Sequence, residues 1–203
     1  MGYEISMSRE LFNKYGAVHV TKLVPPEFYK FFTHVLMRQS DLKSNQGDMQ
    51  IPNAKAILDH EYMFETLHEM YWDVMEEIVG EELMPTYAYA RLYSNGDVLT
   101  KHTDRPACEV SVTIQLGRSH HYAWPIYMGG MRFDMAEGDG VIYKGCDIEH
   151  WRDKCDGPEG YYSGQVFLHY VRKNGAYASE VGDSTVRNTY SYIKNRTHLM
   201  DVK

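Results

Sequence analysis

The chain has 203 residues, 43% hydrophobic and 24% charged, a composition that suits one soluble domain with its own core. A net charge of −7 and a pI of about 5.8, without a basic cluster, exclude binding to nucleic acid through neutralised phosphates. No apolar run approaches the ~20 residues of a membrane span.

Cys108, Cys146 and Cys155 form no CxxC pair and follow no signal-peptide pattern, so free thiols in a cytoplasmic setting are expected. Two short matches carry little information: Met1-Gly2-Tyr3-Glu4-Ile5-Ser6 for myristoylation, and Asn195-Arg196-Thr197 for glycosylation. Tyrosine is abundant, 17 copies against 7 Phe and 3 Trp. An apolar ring with a polar tip suits a core that opens into a polar pocket.

In chain order, Gly16-Ala17-Val18-His19-Val20 reads as a short strand. Pro25-Pro26 opens a helix through Phe28, Phe31, Phe32, Val35 and Leu36, with proline at its permitted start. Ser40 to Pro52 is polar and Gly-containing, hence a connector or a substrate lid. Asp59 is placed to cap a second helix carrying Met63, Leu67, Met70, Val74 and Ile78, and Gly80 ends it.

From Met84 the segments turn short and β-like. Thr86 to Tyr93 is a strand, and Asn95-Gly96-Asp97 turns into Val98-Leu99-Thr100. Glu109 to Leu116 and Gly164 to Val171 alternate cleanly. Between them lie Ala123 to Tyr127, Met131 to Asp134, and Val141-Ile142-Tyr143 after the Gly138-Asp139-Gly140 turn. About eight short strands after two helices predict a mostly β fold with N-terminal helices, a jelly-roll, cupin-like barrel. Residues 1–83 then support the barrel, 84–172 form it, and 173–203 are a tail.

His102-Thr103-Asp104 carries the chemistry. In extended chain, residues i and i+2 point to one side about 6.6 Å apart, so both reach one ion. A histidine and a carboxylate so placed, with a remote histidine, form the facial triad of non-haem Fe(II) oxygenases. Such a motif is common: about 1.4 His-x-acid matches are expected by chance in a chain of this composition, and one is found. Its setting adds the weight. It sits at a strand end, and His150 stands beyond a Gly-Asp-Gly turn and a strand. One last alternating strand follows to close a barrel. His60, His68 and His198 read as surface or core residues, His120-His121 as a loop pair, and His169 as a core residue or an inward neighbour of the site.

Pro85 to Tyr93, Gly96, and His102-Thr103-Asp104-Arg105-Pro106 resemble the 2-oxoglutarate/Fe(II) oxygenase superfamily, most of all its prolyl 4-hydroxylase-like branch. Gly138 to Tyr143 through Glu149-His150-Trp151-Arg152 resembles the segment carrying the distal histidine, and Gln165 to Tyr170 the final strand. The resemblance covers residues 84–172 and implies a double-stranded β-helix with iron on His102, Asp104 and His150. It implies Fe(II), 2-oxoglutarate and dioxygen as the reactants, with release of succinate and CO2. The expected substrate is a peptide or small molecule, hydroxylated at a C–H bond.

The family's usual cation after the distal histidine is missing, for residues 157–163 hold no Arg or Lys. Arg152, two residues after His150, is the candidate anchor, because its planar fork suits a carboxylate. Lys144 and Arg105 follow as second choices, Arg105 also as a substrate contact. Tyr87, Tyr89 and Tyr93 offer hydroxyls. Two other readings stay open: a cupin-like metalloenzyme without 2-oxoglutarate, and a jelly-roll binding module without catalysis.

Overall fold

A computed structural model describes residues 2–42, 51, 56–59 and 62–181. Three helices, α1 (Gly2–Tyr15), α2 (Pro26–Leu42) and α3 (Tyr62–Val79), interleave with β1 (Ala17–Val20) and β2 (Ala56–Asp59). Eight strands follow: β3 (Leu83–Ser94), β4 (Leu99–His102), β5 (Val110–Arg118), β6 (Ile126–Met128), β7 (Met131–Phe133), β8 (Gly140–Lys144), β9 (His150–Arg152) and β10 (Tyr162–Arg172). They build a six-stranded sheet, β1-β8-β5-β10-β3-β2, and a four-stranded sheet, β4-β9-β6-β7, antiparallel throughout.

The large sheet has two unlike faces, because successive side chains on a strand point to opposite sides. Ala88, Ala90 and Leu92 of β3 join Val110, Val112, Ile114 and Leu116 of β5 and Val166 and Leu168 of β10 in one apolar layer. The helices cover that layer with Phe12 from α1, Phe32 and Leu36 from α2, and Phe64, Leu67, Met75 and Ile78 from α3. Fully burying one such side chain stabilises by about 1.5–3 kcal/mol, so this layer is the main source of stability. The residues between them, Tyr89, Arg91, Ser111, Thr113, Gln115, Gln165, Phe167 and His169, face the opposite way, into the barrel.

Several local expectations shift. α1 precedes the first strand, where no element was expected. Asp59 ends β2 rather than capping a helix, and α3 starts at Tyr62. The buried face of α3 runs through Phe64, Leu67, His68, Trp72 and Met75, which leaves Met63 and Met70 on the exposed side. Trp72 selects that face by donating its Nε1–H to the Leu83 carbonyl at 2.8 Å. Gly80 stops the helix at φ +82°, a backbone that favours glycine. α2 runs through Ser40, whose hydroxyl donates to the Met37 carbonyl, so the connector starts later than expected. Most of that connector, with His60, the 195–197 sequon and His198, lies outside the described residues. Ile51 is buried among Tyr93, Leu99, Trp124 and Tyr161 at one end of the barrel. No helix among the described residues is long and apolar enough to cross a membrane.

His68 is fully buried against the Tyr170 ring, whose hydroxyl donates to the His68 carbonyl at 2.9 Å. Burial pulls its pKa down to about 3, helped by the charge of His169. The fold therefore rejects the imidazolium, and stability is full above the unfolded value near pH 6.5. It declines as pH falls from there toward 3. Urea unfolding is expected to show a loss of up to about 1.4 kcal/mol per pH unit across that window, and His68→Phe to flatten the slope. An unchanged slope in the variant would place the acid sensitivity elsewhere.

Candidate metal centre

β4 and β9 pair antiparallel with His102 directly opposite His150, so the register of two short strands brings together residues 48 positions apart. Asp104 follows two residues after His102, and its backbone N–H donates to the Gly145 carbonyl at 2.9 Å. Gly145 is needed there. A Cβ at that position would stand 2.2 Å from the Cys108 carbonyl oxygen and 2.6 Å from Asp104 Oδ2. The His102 and His150 ring centroids are 4.2 Å apart. Asp104 Oδ1 lies 3.6 Å from His102 Nε2 and 3.4 Å from His150 Nε2.

The tautomers follow from the neighbours. His102 Nδ1 sits 2.7 Å from the Thr100 carbonyl oxygen, and His150 Nδ1 sits 2.9 Å from that of Ile148. A carbonyl oxygen only accepts, so both Nδ1 atoms carry the hydrogen and both neutral rings aim an Nε2 lone pair at Asp104. Three acceptors then converge on one point. A cation resolves that clash, and an octahedral ion with bonds of about 2.1 Å sets adjacent ligand atoms about 3 Å apart. The side chains need to close by only a few tenths of an ångström. The residues present fit a divalent metal.

The electrostatics agree. Burial would raise the Asp104 pKa, but hydrogen bonds from His102 and His150 and the charges of His150 and His169 hold it well below the usual carboxylate range. Burial would lower the His102 pKa, but the Asp104 carboxylate and the Thr100 carbonyl raise it instead. Without an ion, the Asp104 carboxylate favours a proton on His102 Nε2.

Arg152 stands two residues from His150 on the same face of β9 and is buried, as its spacing implies. Its Nη1 donates to the Trp124 carbonyl at 2.5 Å and its Nη2 to Gln165 Oε1 at 2.8 Å, while its Nε has no hydrogen-bond partner. The guanidinium carbon lies 4.9 Å from the Trp124 ring centroid and 6.0 Å from that of Tyr93. Among the described residues no carboxylate meets it, and burial lowers its pKa to about 10. A buried cation without a counter-charge is costly, and an anionic ligand would offset that cost. Gln165 Oε1 also accepts from Thr113 Oγ1 at 3.1 Å, and Gln165 Nε2 donates to Gln115 Oε1 at 3.2 Å, so the fork is held from behind.

The remaining candidates separate. Tyr89 lies inside the barrel, stacked on Phe167 and His169. Tyr93 is fully buried against Trp124. Tyr87 puts its hydroxyl 2.9 Å from Cys108 Sγ. Arg105 is exposed at the mouth, its guanidinium 4.7 Å from the Tyr87 ring centroid. Lys144 points away from the barrel and lies over the Phe12 ring at 5.5 Å, which removes it from the anchor's surroundings. His120 and His121 line an outer pocket with Arg118 and Glu137.

Two interior residues were not singled out as polar site residues. Arg91 lies among the rings of Tyr89, Tyr93 and Phe167, 5.4–5.8 Å from their centroids, and its period-2 spacing with the two tyrosines was the available signal. Gln165 was read only as part of a strand. His169 takes the inward position, 2% exposed.

No family model matches the sequence, and no curated protein does. Solved structures do. A prolyl-4-hydroxylase from Pseudomonas putida aligns at TM-score 0.63 and 14% identity, covering 84% of this chain and all of that one. The epimerase SnoN of nogalamycin biosynthesis aligns at TM-score 0.70 and 10% identity, covering 85% and 84%. The viral collagen prolyl hydroxylase of Paramecium Bursaria Chlorella virus-1 aligns at TM-score 0.59 and 6% identity, covering 78% and 97%.

Metal binding is expected to stabilise the chain. At about 100 times Kd an ion adds about 2.7 kcal/mol, or roughly 5–10 °C in Tm for a chain of this size. With Mn2+, an ion that prefers nitrogen and oxygen ligands, Asp104→Ala and His150→Ala should each abolish the shift. Because the ion displaces a proton, affinity should be full above the raised His102 pKa and fall roughly tenfold per pH unit below it. Asp104, with its lowered pKa, should add nothing until far below pH 4. A stabilisation that survives both substitutions would put the ion elsewhere.

Taken with the two facing sheets and the His–Asp–His geometry, these likenesses show that the chain has the double-stranded β-helix fold of the 2-oxoglutarate/Fe(II) oxygenases.

Proposed function

We propose that the chain is an Fe(II)- and 2-oxoglutarate-dependent dioxygenase that hydroxylates a C–H bond of a peptide or small molecule. One observation carries the reading. Three acceptors converge for a cation, and a buried guanidinium with no carboxylate partner among the described residues stands two positions from His150 on the same wall. Neighbours of the same fold add support, since SnoN was solved with Fe3+ and alpha ketoglutarate and the viral hydroxylase with 2OG.

Iron with 2-oxoglutarate and dioxygen supplies the oxidising power, the co-substrate leaving as succinate and CO2. The chain's own residues bind and orient. His102, Asp104 and His150 would hold the iron. Arg152 receives the distal carboxylate of 2-oxoglutarate, with Gln165 fixing its fork. Tyr89 and Tyr93 wall the co-substrate, and the dry cluster of Leu99, Trp124, Tyr161 and Ile51 closes that end against water. Arg105 and Tyr87 stand at the mouth, where the substrate enters. Three free cysteines fit a reducing, cytoplasmic setting.

Anaerobic Fe(II) with 2-oxoglutarate is expected to give a weak visible charge-transfer band. Arg152→Met should demand about a hundredfold more 2-oxoglutarate for the same band, the usual cost of deleting one buried charge partner. Arg152→Lys should recover part of that loss, and thermal unfolding checks that both variants fold. Metal uptake with no band at any 2-oxoglutarate concentration would instead identify a cupin-like metalloenzyme of another kind.

A further inference from the structure

The geometry points to a second metal pocket, formed by Asp104, Cys108 and His169, which takes a thiophilic divalent ion such as Zn2+ beside the His–Asp–His face. One ligand atom from each of the three residues lies within 4.8 Å of the others. Asp104 comes from the loop after β4, Cys108 from the 3₁₀ turn Pro106–Cys108, and His169 from β10 at its bulge. The pocket shares Asp104 with the face assigned to iron but does not depend on iron being there.

The protonation pattern leaves ligand atoms ready. Ser111 Oγ donates its single hydrogen to the Cys108 carbonyl at 3.1 Å. It therefore accepts from His169 Nδ1 at 2.7 Å, which puts the ring hydrogen on Nδ1 and a lone pair on Nε2. That Nε2 is buried without a hydrogen-bond partner, and so is Asp104 Oδ2. Oδ1 is the oxygen within reach of both triad histidines. The carboxylate thus has a second oxygen, Oδ2, that neither triad histidine engages. Two unpartnered buried acceptors beside a thiol are costly in a dry interior unless a cation joins them.

The donor set selects the ion. One imidazole, one carboxylate and one thiolate match zinc-type sites, with bonds of about 2.0–2.3 Å. A thiolate disfavours magnesium and calcium. Tetrahedral ligands stand roughly 3.3–3.8 Å apart at those bond lengths, so closure needs a shift on the order of 1 Å. The Cys108 proton leaves to solvent as the metal–sulfur bond forms. Tyr87, whose hydroxyl is 2.9 Å from Sγ, then donates to the thiolate. Occupancy draws on the carboxylate that the iron needs, which couples the two ions.

Anaerobic titration of the full chain with Co2+ separates the pockets. We expect two equivalents: one with weak visible bands from the N/O face, and one with an intense near-ultraviolet sulfur-to-cobalt band. Cys108→Ser should keep the first and lose the second, with Tm confirming the fold. His150→Ala should lose the first and keep the sulfur band. One equivalent without a sulfur band, or a band that survives in Cys108→Ser, overturns the second pocket and leaves the iron reading standing. A sulfur band that comes with no N/O cobalt in the unmodified chain would support this pocket and sink the iron reading.

Discussion

The pairing of β4 with β9 is the constraint on which the site depends. Each strand is only three or four residues long, and their register sets His102 opposite His150. Such short strands carry little stability of their own. They hold because β6 pairs with the other edge of β9, and because both Nδ1–H groups are tied to backbone carbonyls. A slip of one residue would turn either imidazole to the far side of the sheet. Gly145 completes the arrangement by letting the backbone near Cys108 and the Asp104 carboxylate come close.

The large sheet solves a second problem, that of placing polar chemistry inside a folded chain. Its stability comes from the face under the helices, where nearly every side chain is aliphatic or aromatic. The inner face is thereby free to carry Thr113, Gln115, Ser163 and Gln165, which hydrogen-bond to one another and, through Gln165, to Arg152, and Ser111, which pairs with His169. A buried polar network is tolerable when its members satisfy each other. The atoms left over, Arg152 Nε, Asp104 Oδ2 and His169 Nε2, all line the same interior. The unsatisfied groups therefore mark where ligands belong.

Much of this was legible in the chain itself. Alternation over residues 109–116 and 164–171 identified the two central strands, and the His-x-Asp spacing with a remote histidine pointed to the three side chains that the fold brings together. The inward orientation of Arg152 followed from its two-residue offset from His150. The same rule of two, applied from Tyr143 on β8, would have turned Lys144 outward. α1 lacks a strong apolar stripe, with Met7 and Leu11 exposed and Phe12 fully buried, so its period was faint. Long-range register stayed hidden. Nothing local in Cys108 or His169 tells that a turn and a bulged strand meet at Asp104, because β10 lies between β5 and β3 only after folding.

The two outermost strands of the large sheet, β1 and β2, both come from the segment that also carries the helices. That segment is more than a buttress. A chain starting at β3 would lose the cover over its aliphatic layer and would bare the hydrogen-bonding margins of β8 and β3 together. Two raw margins on one slab invite end-on stacking with other copies, so residues far from the His–Asp–His cluster guard the sheet against edge pairing.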